Sequence, residues 1–577
     1  MSGNHYFYDF INFTNKKQKM SKTISRTCLL IAGTLFNLSL FAQPKEDVPK
    51  GWHTLDKTTD GYYGISVAKA YDFVKAKKIK SKPVIVAVID SGVDTTHEDL
   101  RSVLWRNPKE IPGNGIDDDK NGYVDDVYGW NFLGGRDGGN VEQDSYEAAR
   151  VYHNFKSKYD GKNINEETLS PDELFEYKSW VRAKAEIVGD VNPLEVLQLQ
   201  RMSKTMKSGD SVIRADLKKD EYNCKDLVSY SSKNSAAQRT KDILVSICKG
   251  NDNDEITNQQ ILDQLEGDLN KMEAAEKAPK NYRDDIVKDN YSDFNDKYYG
   301  NNNVMVSNKA ALHGTHVSGI IGAARGNGVG MDGIADNVQI MTVRAVPDGD
   351  EHDKDIALAI RYAVDNGAQV INMSFGKSFS PEKKWVDDAV RYAESKGVLL
   401  VHAAGNDAKN LDSSFNYPTP VLLDGKRPNN WITVGASGDP KAGGLTASFS
   451  NYGKKEVDVF APGVKIYSSV PGGNTYQNLQ GTSMASPVVA GLAAFIMSYF
   501  PNLTAAQVKM VIEKSAKNPG VDVKDPGTEE MVNLSALSKS GGIINAYEAV
   551  KLASVTKGLK KPVVVKPTTT VKPKPKG

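Results

Sequence analysis

The stretch VIVAVIDSGVD, residues 84–94, decides the fold. Its first seven residues are β-branched or small and apolar up to Asp90, with Pro83 before them and Ser91-Gly92 after Asp90. A continuous apolar run of this length is typical of a strand buried on both faces of a parallel sheet. Asp90 therefore ends a central strand, at the edge of the sheet where sites form in open α/β folds. An aspartate that only satisfies turn amides is the alternative.

Similar apolar runs recur along the chain, with helical patterns between them. They are VQIMTVRAV (338–346), AQVINMSFG (368–376), GVLLVHAAGN (397–406) and NWITVGAS (430–437). The intervening stretches DKDIALAIRYAVDNG and PEKKWVDDAVRYAESKG each end in the glycine expected just past a helix C-terminus. This alternation predicts an α/β fold with a mostly parallel sheet flanked by helices.

Residues 141–303 interrupt that rhythm, because they are charged and poor in β-branched runs. SPDELFEYKSWVRAKAEIVG has the signals of a helix: Ser170 as N-cap, Pro171 at the first helical position, Glu173 completing a capping box and Gly189 as terminator. We predict a mainly helical insertion here.

The N-terminus has the pattern of an export signal. The basic segment KKQKMSKTISR precedes the apolar run CLLIAGTLFNLSLFA (28–42), and small Ala42 offers a cleavage site. We interpret residues 1–42, with Met20 as a possible start, as a secretory signal peptide. A membrane anchor is the alternative, but the run is shorter than the roughly 20 residues needed to span a bilayer. We expect a secreted or periplasmic protein with no transmembrane anchor once the signal is removed.

Export would place the remaining chain in an oxidising compartment. Cys224 and Cys248 are then an even pair, either bridged or present as two free thiols. A formal net charge of +1 argues against a nucleic-acid partner, because no global positive field would attract phosphates. Residues 43–80 are expected to form a short polar lead-in, and the Lys/Pro/Thr-rich residues 556–577 a disordered tail.

Two further motifs carry candidate chemistry. LHGTHVSGIIGAA places His313 and His316 three residues apart, which raises the possibility of a metal pair. Zinc-hydrolase helices instead place histidines four apart with an intervening glutamate, which weakens that alternative. LQGTSMASPVVAGLAAFIM puts Ser483 at the start of a helix, with Pro487 tolerable because it lies in the first turn. Such a serine on its own is usually only a cap.

Taken together, DSG, HGTHVSG and GTSMASPVVAG resemble the three signature motifs of the subtilisin-like serine proteases, the subtilase family, and they share the chain order Asp, His, Ser of subtilisin. The resemblance covers residues 81–140 and 304–555. It implies a subtilisin-like three-layer fold and an exported serine endopeptidase that needs no catalytic cofactor. Ser483 would be the nucleophile, His313 the general base and then acid, and Asp90 the group that orients the imidazole. A serine hydroxyl needs such a base, because it is a weak nucleophile at neutral pH.

Three more segments match the family by resemblance. Asn406 in HAAGN stands where the family donates a hydrogen bond to the tetrahedral oxyanion. Ser374, Phe375 and Gly376 in INMSFG resemble the edge strand that binds an extended protein or peptide substrate through its backbone. FNYPTP resembles a pocket segment, but Asn416 stands where relatives often have glycine. That departure leaves the depth and polarity of the primary specificity pocket open.

The chain also departs from the family in its spacing. His313 follows Asp90 by 223 residues, several times the spacing in compact subtilases. We expect the helical insertion to pack beside the cleft and to limit or select substrates. The lead-in 43–80 is shorter than the folding-assistant propeptide of many secreted subtilases. A catalytically silent peptide-binding protein of this fold is the alternative function, disfavoured because all four active-site groups are present. Esterase or transferase chemistry is a third option.

The stretch IDDDKNGYVDD (116–126) alternates carboxylates and amides around a glycine, as calcium loops do. The expected ligands are Asp117, Asp119, Asn121, the backbone carbonyl of Tyr123, and Asp125. The twelfth position is Tyr128 where a calcium sensor has glutamate, and the flanks lack the two helices of a sensor. We therefore predict a structural calcium site that stabilises the fold, with a solvated acidic turn as the alternative. Asp99 and Asn327 resemble a second structural calcium site of the family.

Overall fold

The structure is a computed structural model that describes residues 48–189, 193–251, 254 and 256–560. The predicted signal peptide, 1–42, lies outside these residues, as do residues 561–577 of the predicted tail 556–577. The described start of that tail is ordered, because the N–H groups of Leu559 and Lys560 donate to Oε1 of Gln507 at 2.9 Å and to the carbonyl of Asn502 at 3.0 Å. The helices are α1 (Val67–Ala76), α2 (Glu147–Tyr159), α3 (Pro171–Lys184), α4 (Pro193–Leu217), α5 (Cys224–Leu227), α6 (Ser235–Asn251), α7 (Asn258–Glu273), α8 (Arg283–Ile286), α9 (Leu312–Gly322), α10 (Asp353–Asp365), α11 (Lys383–Lys396), α12 (Thr482–Tyr499), α13 (Ala505–Ser515) and α14 (Ala546–Val555). The strands are β1 (Val84–Asp90), β2 (Gly129–Asn131), β3 (Val338–Arg344), β4 (Val370–Met373), β5 (Leu399–Ala403), β6 (Trp431–Ser437), β7 (Val459–Pro462), β8 (Ile466–Val470), β9 (Thr475–Leu479), β10 (Val523–Lys524) and β11 (Met531–Val532).

Seven strands form a parallel sheet in the order β2-β3-β1-β4-β5-β6-β7. The predicted strand 84–90 is β1, and it lies between β3 and β4. Its last residues pair with both neighbours, Asp90 with Arg344 and Ile89 with Met373. The strands β8 and β9 form an antiparallel hairpin, as do β10 and β11. The predicted α/β fold with a mostly parallel sheet is confirmed.

Helices cover both faces of this sheet and bury alternate residues of β1. Val84, Val86 and Val88 pack into a core with α9 and α12, whereas Ala87 and Ile89 pack into a second core with α10 and α11. Because both faces of β1 are covered, a run of apolar residues replaces the alternation of a half-exposed strand. The result is the three-layer arrangement of helix, sheet and helix.

Helix α12 is long and apolar enough to cross a membrane by length and composition, and it is the one helix among the described residues that meets this test. It is 94% buried inside the fold. Its small and apolar side chains face the sheet and α9. Its hydrophobicity is therefore that of a core helix.

Helix ends follow the predicted signals. Gly397 ends α11 in the left-handed conformation at φ 73°, and its N–H donates to the carbonyls of Ala393 and Glu394. At the start of α3, Ser170 and Glu173 form the predicted capping box. The predicted terminator Gly189 does not end α3 directly, because a π-helix, Ala185–Gly189, follows Lys184.

Residues 141–303 contain the helices α2 to α8. Helices α4, α6 and α7 enclose a hydrophobic core of their own, apart from the two cores of the sheet. Cys224 and Cys248 lie in this core and form a disulfide. Of the two alternatives for this cysteine pair, the structure contains the bridged form. We call residues 141–303 the helical segment.

The lead-in does not behave as the polar appendage that its composition suggests. Trp52 is fully buried, and its indole Nε1 donates to the carbonyl of Val464 at 3.0 Å. Helix α1 packs against α14, and the Tyr71 hydroxyl donates to the carbonyl of Ile334 at 2.9 Å. A few spaced apolar residues are enough to bury this segment, so residues from 48 onward form part of the core.

Candidate active site and metal site

Asp90 and His313 meet at the carboxyl end of β1. The Nδ1–H of His313 donates to Oδ1 of Asp90 at 2.8 Å, and the Ser91 N–H donates to the same oxygen at 2.7 Å. Asp90 is 2% exposed. Gly314 allows this contact, because a Cβ there would lie 2.2 Å from the carbonyl oxygen of Gly92. The carboxylate fixes the proton on Nδ1, so Nε2 of His313 is left as an acceptor.

Ser483 lies in the first turn of α12 and is 7% exposed. Its Oγ donates to the backbone carbonyl of Ser374 at 3.1 Å, and Ser374 Oγ donates to the carbonyl of Ser483 at 2.9 Å. A second bond, from Ser486 Oγ to Oδ1 of Asn372 at 2.8 Å, ties the same turn to β4. Since β4 is the neighbour of β1, Ser483 and Asp90 lie at the carboxyl ends of adjacent strands.

Asn406 is oriented by Thr482, a residue that the sequence reasoning did not single out. The carboxamide oxygen of Asn406 accepts both the N–H and the Oγ1–H of Thr482 at 2.8 Å. The Thr482 hydroxyl in turn accepts the N–H of Gly405 at 3.0 Å. Because the oxygen of the carboxamide is engaged, its NH₂ end remains as a donor beside the N-terminus of α12.

His316 points away from this site. It is fully buried, and its Nε2–H donates to the carbonyls of Ile466 at 3.0 Å and Gln477 at 3.1 Å in the β8–β9 hairpin. Burial lowers the pKa of His316 to about 3, so the ring is neutral. His313 and His316 do not form a metal-binding pair, because their rings hydrogen-bond to different partners.

The predicted substrate-binding residues lie beyond the end of β4. This strand is internal, between β1 and β5, so the available backbone is the extension 374–376 and not a free edge of the sheet. The carbonyl of Phe375 accepts a hydrogen bond from His402 Nε2 at 2.8 Å, and burial lowers the pKa of His402 to about 4. Asn416 donates from Nδ2 to the carbonyls of Ala403 and Ala404.

The helical segment contacts this predicted substrate-binding region. Arg182 of α3 donates to the carbonyl of Ser378 at 2.8 Å, and its guanidinium lies 4.4 Å from the ring centroid of Phe415. Glu147 of α2 pairs with the buried Lys377 at 2.7 Å. The expectation that the segment packs beside the cleft is consistent with these contacts. No local motif signalled them, because the partners are far apart in sequence.

Three carboxylates gather at the predicted calcium loop, and one of them, Glu110, precedes the loop and was not expected. Ligand atoms of Glu110, Asp117 and Asp119 all lie within 4.8 Å of one another. Glu110 is 8% exposed, and its Oε2 has no partner among the described residues. Burial and the nearby Asp119 and Asp118 raise the pKa of Glu110. Three convergent carboxylates with an unsatisfied buried oxygen fit a hard divalent cation such as Ca²⁺.

Other predicted ligands of this loop are otherwise engaged. The carboxylate of Asp125 accepts the N–H groups of residues 113–115 at 2.7 to 3.3 Å, so it is withdrawn from the carboxylate cluster. Asn121 uses its Oδ1 for the N–H of Tyr123 at 2.8 Å and its Nδ2 for Asp126 at 3.0 Å. The Tyr123 ring packs against Trp130, which leaves the prediction for the Tyr123 backbone carbonyl unchanged. The turn at Gly122 has φ 97°, as its predicted place in the loop requires.

The two predicted ligands of the second calcium site hydrogen-bond to other groups of the protein. Asp99 accepts Asn327 Nδ2 at 2.6 Å on Oδ1, and the Tyr476 hydroxyl at 2.9 Å and the Met331 N–H at 3.1 Å on Oδ2. The Asn327 Oδ1 accepts the Val329 N–H at 3.1 Å. Both oxygens of the Asp99 carboxylate thus accept hydrogen bonds from uncharged protein donors, and the second calcium site stays a prediction.

Residues 81–534 match the subtilase family, and this range is most of the chain. The chain belongs to the subtilase family.

Curated subtilases match part of the chain. It is 43% identical over 205 residues to the thermophilic serine proteinase of Bacillus sp. (strain AK1), covering 35% of this chain and 46% of that protein. It is 40% identical over 211 residues to subtilisin DY of Bacillus licheniformis, covering 36% of this chain and 71% of that protein. The cell wall-associated protease of Bacillus subtilis (strain 168) is 36% identical over 242 residues, covering 42% of this chain and 25% of that protein. The chain thus spans less than half of the thermophilic proteinase and a quarter of the cell-wall protease.

Solved protease structures align over a similar share. The protease domain of PatA aligns with 42% of this chain and 81% of that one, at 28% identity and a TM-score of 0.34. A protease of Pseudoalteromonas arctica PAMC 21717 aligns with 42% and 70%, at 30% identity and a TM-score of 0.33.

Proposed function

We propose that this subtilase is an exported serine endopeptidase that cleaves peptide bonds through Asp90, His313 and Ser483. The observation that carries the proposal is the 2.8 Å hydrogen bond from His313 Nδ1–H to Asp90, at the same sheet edge as Ser483. A buried carboxylate that holds the imidazole in one tautomer is what a general base for a serine requires.

The reaction begins with a rotation of the Ser483 hydroxyl. In the structure this hydroxyl donates to the carbonyl of Ser374. An extended peptide along 374–376 competes for that carbonyl and releases the hydroxyl to turn toward Nε2 of His313. Oγ then attacks the scissile carbonyl while Nε2 takes the proton. His313 next protonates the leaving amine, and water hydrolyses the acyl-serine ester by the same steps in reverse.

The developing oxyanion is stabilised by the NH₂ group of Asn406. Thr482 holds the oxygen of this carboxamide at 2.8 Å through two donors, so the NH₂ group is oriented before the substrate arrives. A donor fixed in advance costs no reorganisation when charge develops on the substrate.

We further propose that Glu110, Asp117 and Asp119 hold a structural calcium ion, which would stabilise the folded form by mass action. Two features support export: the signal-like residues 1–42 and a disulfide, which is typical of proteins from oxidising compartments. The proposed substrates are proteins or peptides.

Labelling with a fluorophosphonate probe for active-site serines tests the peptidase proposal. Wild type is expected to label, Ser483→Ala not to label, and the control Ser554→Ala, at an exposed serine, to label as wild type does. Equal thermal midpoints for the three proteins would show that the loss is chemical. A folded wild type that does not label would favour the peptide-binding alternative, and a panel of matched peptide and ester substrates separates peptidase from esterase activity.

A further inference from the structure

The side chain of Asn416 spans the gap between two segments beside Ser483. On one side its Nδ2 donates to the carbonyls of Ala403 at 3.1 Å and Ala404 at 2.9 Å, at the end of β5. On the other side its Oδ1 lies 2.3 Å from where a Cβ on Gly376 would stand. A glycine at position 376 is therefore required for Asn416 to fit. The carboxamide therefore fills the gap between the end of β5 and Gly376.

These two walls are also the walls of the proposed active site. The extension 374–376 begins at Ser374, whose carbonyl accepts the Ser483 hydroxyl. The end of β5 leads directly to Asn406, the proposed oxyanion donor. A carbonyl held between Ser483 and Asn406 therefore directs the side chain of its own residue into the gap between the walls, toward Asn416.

Resting on the proposed peptidase function, we infer that Asn416 closes this pocket and restricts the enzyme to peptides with a small side chain immediately before the cleaved bond. Glycine, alanine and serine fit this description. Both amide hydrogens of Asn416 are taken by the two carbonyls, so its Oδ1 is the group left to face the substrate. A serine hydroxyl can donate to that oxygen. A phenylalanine ring needs a deep apolar pocket, and here it would meet a polar carboxamide instead.

The helical segment keeps this wall in place. The Phe415 and Tyr417 rings on either side of Asn416 are stacked, with centroids 5.6 Å apart and an interplanar angle of 2°. The Arg182 guanidinium lies 4.4 Å from the centroid of the Phe415 ring. Tyr417 and Lys377 exchange two backbone hydrogen bonds, at 2.7 and 3.1 Å. These contacts restrain the segment that carries Asn416, so Asn416 does not move to admit a larger side chain.

The test compares two peptide p-nitroanilides that differ only in the residue before the cleaved bond, alanine or phenylalanine. Wild type is expected to have the higher kcat/KM for the alanine substrate. Asn416→Gly is expected to raise the Phe/Ala ratio of kcat/KM by at least about tenfold, since a pocket gains roughly 10- to 200-fold per methylene it accommodates. Asn416→Ala, which retains a Cβ to restrain the backbone, is expected to shift the ratio in the same direction by less. The matched control Asn163→Gly, at an exposed position of the helical segment, should leave the ratio unchanged.

The outcomes separate this inference from the proposal on which it rests. A wild type that labels with the serine probe but prefers phenylalanine overturns the inference and leaves the peptidase function standing. So does a ratio that stays constant in both Asn416 variants while they label normally. A folded wild type that neither labels nor cleaves overturns both.

Discussion

Lys377 and Glu147 form an ion pair at 2.7 Å in which both side chains are almost fully buried. Lys377 follows the proposed peptide-binding residues, whereas Glu147 belongs to α2 of the helical segment. Lys377 also bonds to Asp353 at 2.9 Å. Burial alone would lower the pKa of Lys377, but these two carboxylates raise it above its ordinary value, so the lysine is charged.

Lys377→Met is expected to destabilise the protein by about 3–5 kcal/mol, because it leaves the buried carboxylate of Asp353 without this cation and Glu147 with Arg150 alone. Denaturant unfolding measures this loss. Lys384→Met, at an exposed lysine of α11, is the matched control and should change stability by less than about 0.5 kcal/mol. If both variants unfold at the same denaturant concentration as wild type, the buried pair does not stabilise the contact between the helical segment and Lys377.

Glu351 is expected to make stability depend on pH. Burial raises the pKa of Glu351 to about 8, from an ordinary value of about 4.5. The folded state therefore keeps a proton that the unfolded state has lost between these two values, and the free energy of unfolding falls as pH rises through that range. Glu351→Gln removes this dependence. Relative to wild type, the variant should gain stability from pH 4.5 to 8, by up to roughly 5 kcal/mol, since one pKa unit corresponds to about 1.4 kcal/mol.

Urea unfolding of wild type and Glu351→Gln at several pH values checks this gain. Glu530→Gln, at an exposed glutamate, controls for the loss of one carboxylate. Parallel curves of stability against pH for wild type and Glu351→Gln would contradict a protonated Glu351 in the folded state.

The expectations that held depend on local sequence or on a motif. The run 84–90 is β1 residue for residue, and the capping box at Ser170 forms as predicted, because burial pattern and caps are read within a few residues. Asp125 fits the spacing of a calcium loop, but the backbone amides of 113–115 fold back onto its carboxylate. Glu110 lies before the loop and joins the cluster only through the fold.

Contacts between distant parts of the chain could not be predicted in the same way. Arg182 reaches Phe415 across 233 residues, and no periodicity or spacing marks either residue for the other. The same holds for Trp52, which looks like an isolated aromatic in a polar lead-in but is fully buried against Val464. Packing of the whole domain determines such pairs. A single sequence does not show which distant residues pack together.

Asn406→Ala is expected to lower kcat by about 100- to 1,000-fold, the loss recorded for removal of one such donor in a subtilisin. KM should change little, because the hydrogen bond forms with the oxyanion and not with the bound peptide. Steady-state kinetics on the alanine p-nitroanilide measures both constants. A variant that loses affinity but keeps its turnover would assign Asn406 to substrate binding.

Calcium is expected to raise the thermal midpoint of wild type, and chelation to lower it. Glu110→Gln should lose most of this difference, because the carboxamide removes one charge from the cluster with Asp117 and Asp119. Melts with calcium and with chelator, for this variant and for Glu530→Gln, provide the comparison. If calcium shifts Glu110→Gln as much as wild type, then Glu110 is not a ligand.

The disulfide between Cys224 and Cys248 should stabilise the helical segment and leave the sheet unaffected. The bridge closes a loop with a sequence separation of 24 residues, for which the loss of chain entropy in the unfolded state predicts about 3 kcal/mol. The two cysteines lie with residues of α4, α5, α6 and α7 in a core separate from those of the sheet. In the double variant Cys224→Ser/Cys248→Ser, hydrogen exchange should therefore accelerate in α4, α6 and α7 while β1 and β4 exchange as in wild type. Faster exchange in those strands would mean that the two parts unfold as one cooperative unit, and the helical segment would then support the active site through its own stability as well as through Arg182 and Glu147.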